Sequence, residues 1–276
     1  MCRSALAGFG VAVFAASTLT YGGSAAQAEE FVKPDYRGAE QRHAGSQIAL
    51  HEGVTGSPSQ DAYLSTAKAT VLGHDVSGWQ GDVDWPAAAA DGAKFVYVKA
   101  TEGTGFTSDH FAQQYNGSHK AGLIRGAYHF GRPDISKGAA QAHYFVDNGG
   151  GWTKDGKTLP GALDLEYNPY GESCYDRKPS VIVAWIRDFS NAYKSRTGRT
   201  PMIYTSTSWW KKCTGNSTAF GKTNPLWLAR YAPEIGELPA GWDFQSIWQF
   251  SDAGRLPGDQ NFFNGKPGQL TALAAG

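Results

Sequence analysis

Pro160-Gly161-Ala162-Leu163-Asp164-Leu165-Glu166-Tyr167-Asn168-Pro169 is a short apolar run between turn residues, and two of its members are acids. It reads as a β-strand. Side chains alternate faces along a strand, so Asp164 and Glu166 share a face roughly 6 to 7 Å apart, while Leu163 and Leu165 point to the other. Two carboxyls that close repel each other when both are ionised. One of them should keep its proton to a higher pH than a free acid and so be able to donate it to a leaving oxygen. A turn-capping Asp164 with a solvent-facing Glu166 is the plain structural alternative.

Similar short apolar segments recur along the chain, at residues 71–76, 95–100, 124–130, 161–166, 202–205, 226–229 and 246–249, with a further one near 261–263. Helical patterns fill several gaps. Trp85-Pro86, four alanines and Gly92 read as a helix capped by Asp84, with proline just inside its start and glycine at its end. Residues 109–120 stop at Gly122, and 137–146 end before a glycine run. After Pro179, Ile182, Trp185, Ile186, Phe189 and Tyr193 recur at helical spacing up to Gly198. Beyond Met202 the helical signals fade. Strands alternating with helices predict an α/β fold with a mostly parallel sheet. No Gly-x-Gly-x-x-Gly turn or phosphate loop follows the first strand, so an irregular, TIM-like β/α barrel of about eight strands, with fewer helices in its C-terminal half, fits better than a doubly wound sheet. In such a barrel the active residues stand at the C-terminal strand ends. Those ends carry Asp75, Glu102, His129, Asp164 with Glu166, Tyr204, Arg230 and Gln249.

Residues 1–28 begin with Arg3, continue through an apolar stretch and finish at Ala26-Gln27-Ala28, the pattern of a secretory signal peptide. No other segment has the length of a membrane span. Residues 29–71 are polar and without steady periodicity, which marks a propeptide or a flexible lead-in. Cys174 and Cys213 are the two cysteines left after the signal. In an oxidising compartment a disulfide is their default state, adding roughly 3 to 4 kcal/mol, and metal binding is the weaker alternative because no ligand-spaced Cys or His accompanies either. The signal holds Arg3 and no acid, so the remainder has 24 basic and 25 acidic residues. That balance offers nothing to nucleic acid or an anionic membrane.

Asp75, in Gly73-His74-Asp75-Val76-Ser77-Gly78-Trp79-Gln80, would project from the first strand toward the same mouth as the acid pair, although a lone aspartate there is also a good cap. Asp259 reads as a turn aspartate in isolation, and Asp82 and Asp84 as turn and cap residues. Tyr128, Tyr167, Tyr204, Trp227 and Trp248 lie near strand ends, where an aromatic face is either core or a platform for a sugar ring. His74 and His129 read as hydrogen-bonded scaffold. Neither a Gly-x-Ser-x-Gly elbow nor His-Glu-x-x-His occurs, which argues against serine and metallohydrolase chemistry.

Taken in order, Gly73 to Gln80 with Val83-Asp84-Trp85, then Phe95-Val96-Tyr97-Val98-Lys99-Ala100-Thr101-Glu102-Gly103, Gly126-Ala127-Tyr128-His129-Phe130, Leu163-Asp164-Leu165-Glu166 and Ile247-Trp248-Gln249-Phe250 resemble the family 25 glycoside hydrolases. These are secreted muramidases on an irregular β/α barrel. The resemblance covers residues 72–273, the expected catalytic domain. It implies hydrolysis of the β-1,4 bond from N-acetylmuramic acid to N-acetylglucosamine in bacterial peptidoglycan, outside the cell, by a monomer with no metal or organic cofactor. It also implies Glu166 as general acid, Asp164 as the residue that orients the acetamido group or stabilises the cationic anomeric centre, Asp75 in support, and Asp259 as a further acid. A hydrolase of another N-acetylglucosamine polymer and a non-catalytic glycan-binding barrel are the alternatives.

Overall fold

Eight strands close a ring, and the acids stand at one end of it. A computed structural model of the chain describes residue 1, residues 30–58 and residues 70–276. The expected signal peptide beyond its first residue, and residues 29 and 59–69 of the lead-in, lie outside the described residues. Phe31–Gly276 forms one compact unit, and of the other, Met1–Glu30, only the two end residues are described. Strand β1 (Thr70–Val76) pairs in parallel with β2 (Phe95–Glu102), which continues through β4 (Ile124–Phe130), β5 (Ala162–Asp164), β6 (Met202–Thr205), β7 (Leu226–Ala229) and β8 (Ile247–Ser251), all parallel. Strand β9 (Asp259–Asn264) is antiparallel to both β8 and β1 and closes the barrel. The two-residue β3 (Phe106–Thr107) pairs with the end of β2.

Strand alternation sorts the side chains into an inside and an outside. Phe95, Tyr97 and Lys99 of β2 point inward, where glycines of neighbouring strands make room. A Cβ on Gly126 would lie 2.3 Å from the Tyr97 ring. The opposite faces of β1, β2, β8 and β9 bring Leu72, Val76, Val96, Val98, Trp248, Phe250 and Phe262 into an outer apolar layer with Trp85 and Ala88. These last two belong to α2 (Trp85–Ala90), which starts where Asp84 Oδ1 accepts from Ala87 N–H at 3.1 Å. Helices α3 (Phe111–Lys120), α4 (Gly138–Phe145) and α5 (Pro179–Thr197) cover other strands. Ile182, Trp185, Ile186, Phe189 and Tyr193 of α5 are buried, and Gly198 ends it at φ 75°.

Strand positions follow the sequence reading closely, with physical reasons for each difference. β5 stops at Asp164, so Glu166 lies just past the strand. Leu165 N–H still donates to Tyr204 carbonyl oxygen at 3.0 Å, which keeps that backbone extended and brings both acids to the same mouth. Within residues 70–276 two helices are absent from the sequence reading, α6 (Thr207–Thr214) and α7 (Pro267–Ala275). The first is two turns long, capped by Ser206 and loaded with the buried Trp209 and Trp210, so its apolar content does not betray a period. No helix lies in the connections from β7 to β8 or β8 to β9. A disulfide joins Cys174 to Cys213 on α6, with Cα atoms 5.3 Å apart. No helix among the described residues is long and apolar enough to cross a membrane.

Candidate active site

The mouth gathers four acids and one buried cation. Asp75 leaves β1 opposite Asp259, which is the first residue of β9; because β9 runs antiparallel, its beginning lies at the same end as the other strands' C-termini. The pair is tied by amides. Gln249 Nε2 donates to Asp75 Oδ2 (2.8 Å) and Asp259 Oδ2 (3.1 Å), and Asn261 Nδ2 donates to Asp75 Oδ2 (2.6 Å). Gln249 is itself fixed by the hydroxyls of Tyr204 (2.6 Å) and Tyr231 (2.8 Å), both donating to its Oε1. Burial pushes Asp75 up to about 7, while its two amide donors pull the other way. Asp259 is raised well above the carboxylate range by burial and by Asp75.

Asp164 is fully buried, and neither of its oxygens has a hydrogen-bond partner among the described residues. Burial first, and then the negative charge of Glu166, hold its pKa well above normal, against the pull of Lys99. Glu166 is raised to about 8, again by burial first, with backbone N–H donors and Lys99 opposing. Lys99 projects inward from β2 with no exposure. Its Nζ donates to Glu102 Oε2 at 2.9 Å. Burial works against the Glu102 carboxylate, but Lys99, the Tyr170 hydroxyl and Arg132 outweigh it and keep that acid below its usual pKa. Four buried carboxyls, with a single nearby lysine that already pairs with the ionised Glu102, cannot all ionise out of reach of water. The cluster therefore holds transferable protons near neutrality, beside carboxylates able to face a developing positive charge.

The sequence-predicted aromatics divide. Tyr128 and Tyr204 reach the mouth, and Tyr167 stacks on His51 with ring centroids 4.2 Å apart. Trp227 sits inside the barrel against Tyr97 and Tyr204. Its Nε1 donates to Asn261 Oδ1 at 2.7 Å, so it braces the amide that holds Asp75. Trp248 is not brought to the site. It immediately precedes Gln249 on the strand, so by alternation it faces the outer layer, against Phe250 and Phe262. His74 bonds the Pro257 carbonyl, and His129 bonds Thr101 and Gln141; both are on the outside of the ring. Gln249 stands at a strand end as the sequence reading places it, whereas Lys99 and Asn261 are site residues that reading lacks, although a lysine at an inward position of the apolar run Tyr97-Val98-Lys99-Ala100 is a signal. No group of three or more potential metal ligands occurs among the described residues.

Residues 31–58 also meet this mouth. Glu166 Oε1 accepts from Gly45 N–H (2.9 Å), and its Oε2 from Gln47 N–H (2.7 Å) and Ile48 N–H (3.3 Å). Gly45 precedes a short helix, α1 (Ser46–Glu52). Lys99 Nζ donates to the carbonyls of Ala39 (2.9 Å) and Arg42 (2.6 Å). Gln249 Nε2 also donates to the Ala44 carbonyl at 3.0 Å, and Ala44 N–H donates to the Tyr128 hydroxyl at 3.2 Å. Glu52 accepts from the hydroxyls of Tyr167 and Ser206.

Comparison with known proteins agrees with this architecture. The model for glycosyl hydrolases family 25 matches residues 74–259. Lysozyme M1 of Streptomyces globisporus is 41% identical over 242 residues, covering 86% of this chain and 82% of the relative. The N,O-diacetylmuramidase of Chalaropsis sp is 51% identical over 211 residues, covering 75% of this chain and 100% of the relative. The solved structure of the muramidase from Acremonium alcalophilum shares 55% identity at a TM-score of 0.73, covering 74% of this chain and 99% of that one. Barrel, acid cluster and match thus fall on the same residues, and the chain belongs to the glycosyl hydrolases of family 25.

Proposed function

We propose that this chain is a secreted lysozyme that hydrolyses the β-1,4 bond between N-acetylmuramic acid and N-acetylglucosamine in bacterial peptidoglycan. The observation that carries the reading is the cluster of four buried carboxyls at the barrel mouth, with Lys99 the buried cation beside Asp164 and Glu166. A glycan-binding surface has no use for acids that repel one another, whereas cleavage of a glycosidic bond needs one proton donor and one negative partner. Glu166, raised by burial, protonates the leaving oxygen. Asp164, with no partner on either oxygen among the described residues, is available to accept from the substrate's acetamido N–H or to face the cationic anomeric centre. Asp75, held by Gln249 and Asn261, and Asp259, held by Gln249 and Tyr231, support the pair. Tyr128, Tyr167 and Tyr204 supply the aromatic surface of the cleft. The relatives' names, lysozyme and muramidase, support the substrate. The stretch Arg3 to Ala28 supports export, and action as a monomer completes the reading.

The test is the sugar at the new reducing end. Soluble fragments released from isolated peptidoglycan, reduced with borohydride, should carry reduced muramic acid, and Glu166→Gln should lower that release at least a hundredfold, the scale of losing one general acid. Reduced glucosamine, or activity on chitin alone, would move the specificity to another polymer. Full activity in Glu166→Gln would remove that residue from the acid's role.

A further inference from the structure

We propose that residues 31–58 are an intramolecular inhibitor: this stretch closes the barrel mouth, and the chain stays latent until the stretch is displaced. The contacts that carry this run almost continuously along it. Val32 N–H donates to the Asp134 carbonyl at 2.9 Å, and the Tyr36 hydroxyl accepts from Thr104 N–H at 3.1 Å. Glu40 accepts from Asp109 N–H (2.7 Å) and from the Ser108 hydroxyl (3.3 Å). Next come the bonds to Lys99, Tyr128, Gln249 and Glu166, then Glu52 on Tyr167 and Ser206, and finally Thr55 N–H on the Tyr231 carbonyl at 3.0 Å. Ala39, Ala44 and Ile48 are buried against the barrel.

The barrel surface is shaped to this stretch. A Cβ on Gly78 would overlap the Glu40 carboxylate at 1.5 Å, and one on Gly105 would come within 2.7 Å of the Tyr36 ring. The fit is reciprocal at Gly45, which has φ 96° and whose Cβ would fall 1.8 Å from the Tyr231 hydroxyl oxygen. Chemically, the closed mouth cannot serve a glycan. Both oxygens of Glu166 are engaged by backbone donors, and Asp75, Asp164, Glu166 and Asp259 are each at most 2% exposed. The barrel does not need the stretch for its own completeness. The family model matches within residues 74–259, outside the stretch, and 75% of this chain covers the whole Chalaropsis relative. The match to lysozyme M1, at 86% of this chain, extends further than those residues.

The activity arm of the test rests on the muramidase reading, and a second arm does not. In the full-length chain, Gly45→Leu forces a side chain into the Tyr231 contact, and Glu52→Ala removes the acceptor that holds the far end of α1. Neither substitution replaces a residue of the barrel itself. Two quantities are compared with wild type: the rate of reducing-end release from peptidoglycan, and carbodiimide coupling of glycine ethyl ester to Asp164 and Glu166, read by peptide mass spectrometry in protein that retains its cooperative melt. Both should rise at least tenfold in Gly45→Leu and by a smaller factor in Glu52→Ala. Coupling that rises without turnover would uphold the inhibitor and sink the muramidase reading. Coupling and turnover unchanged in both variants would overturn the inhibitor.

Discussion

Stability should fall as pH rises from about 6.5 to 8.5, the reverse of the usual behaviour of paired carboxylates. Burial, the largest cause, raises Asp75 to about 7 and Glu166 to about 8, and Asp164 and Asp259 are raised as well. A carboxyl with a raised folded pKa binds more protons in the native state than in the unfolded chain. Its stabilisation is whole below the unfolded pKa of about 4 and is lost as pH climbs through the folded value. Buried histidines act with the opposite sign. His74 and His129 are depressed to about 4 by burial, so the unfolded chain takes up protons that they do not, and their contribution grows up to pH ~6.5 and then stops. The two effects oppose each other in acid, where stability should be nearly level. Above pH ~6.5 only the carboxyls remain, at about 1.4 kcal/mol per pH unit for each retained proton.

The four acids share protons, so one to two retained protons is the reasonable count at neutrality, giving a loss of about 1.4 to 3 kcal/mol between pH 7 and 8. For a unit of this size that is a fall in Tm of roughly 3 to 12 °C. Calorimetric melts at matched ionic strength from pH 5 to 9 would measure it. Glu166→Gln should flatten the descent by up to one proton's slope, and Gly45→Leu should flatten it too, since opening the mouth returns water to all four acids. A Tm that is level or rising from pH 6.5 to 8.5 would refute the account of a proton-holding cluster.

Two further outcomes are expected. Replacing Cys174 and Cys213 by alanine releases a loop with a sequence separation of 39, which should cost about 4 kcal/mol through unfolded-state entropy and lower Tm by roughly 8 to 16 °C; a drop under 2 °C in calorimetry would mean that the link constrains little in the unfolded chain. Trp248→Phe should lower stability by about 1 to 3 kcal/mol, because it hollows the outer layer, while leaving KM for peptidoglycan unchanged; a raised KM with unaltered Tm would return that ring to the cleft.

Why some of this was legible in the sequence and some was not comes down to which forces act locally. Strands such as β4 and β7 are buried on both faces and bounded by turns, so their positions follow from apolar runs alone. Acids at the ends of such runs have few structural duties, which is why Asp75, Asp164 and Glu166 stand out in the sequence as candidates. Asp259 looked like a turn residue because its place depends on β9 running antiparallel, a matter of closure between the first and last strands that no local window contains. Trp248 was drawn toward the cleft by proximity in sequence. Alternation forbids it: once Gln249 is required to face Asp75, the residue before it must face out. The lead-in is the clearest case. Helix α1 is seven residues long, too short to stand alone, and the stretch has no apolar period because what it satisfies is polar: Lys99, Gln249 and Glu166 take its carbonyls and N–H groups. Backbone atoms do that work, and backbone atoms are the same in every residue except where a side chain would obstruct them. Gly45 is such a place, and its left-handed φ beside the Tyr231 hydroxyl joins the side chains of Tyr36, Glu40 and Glu52 as the points at which the fit to the mouth is written in residue identity.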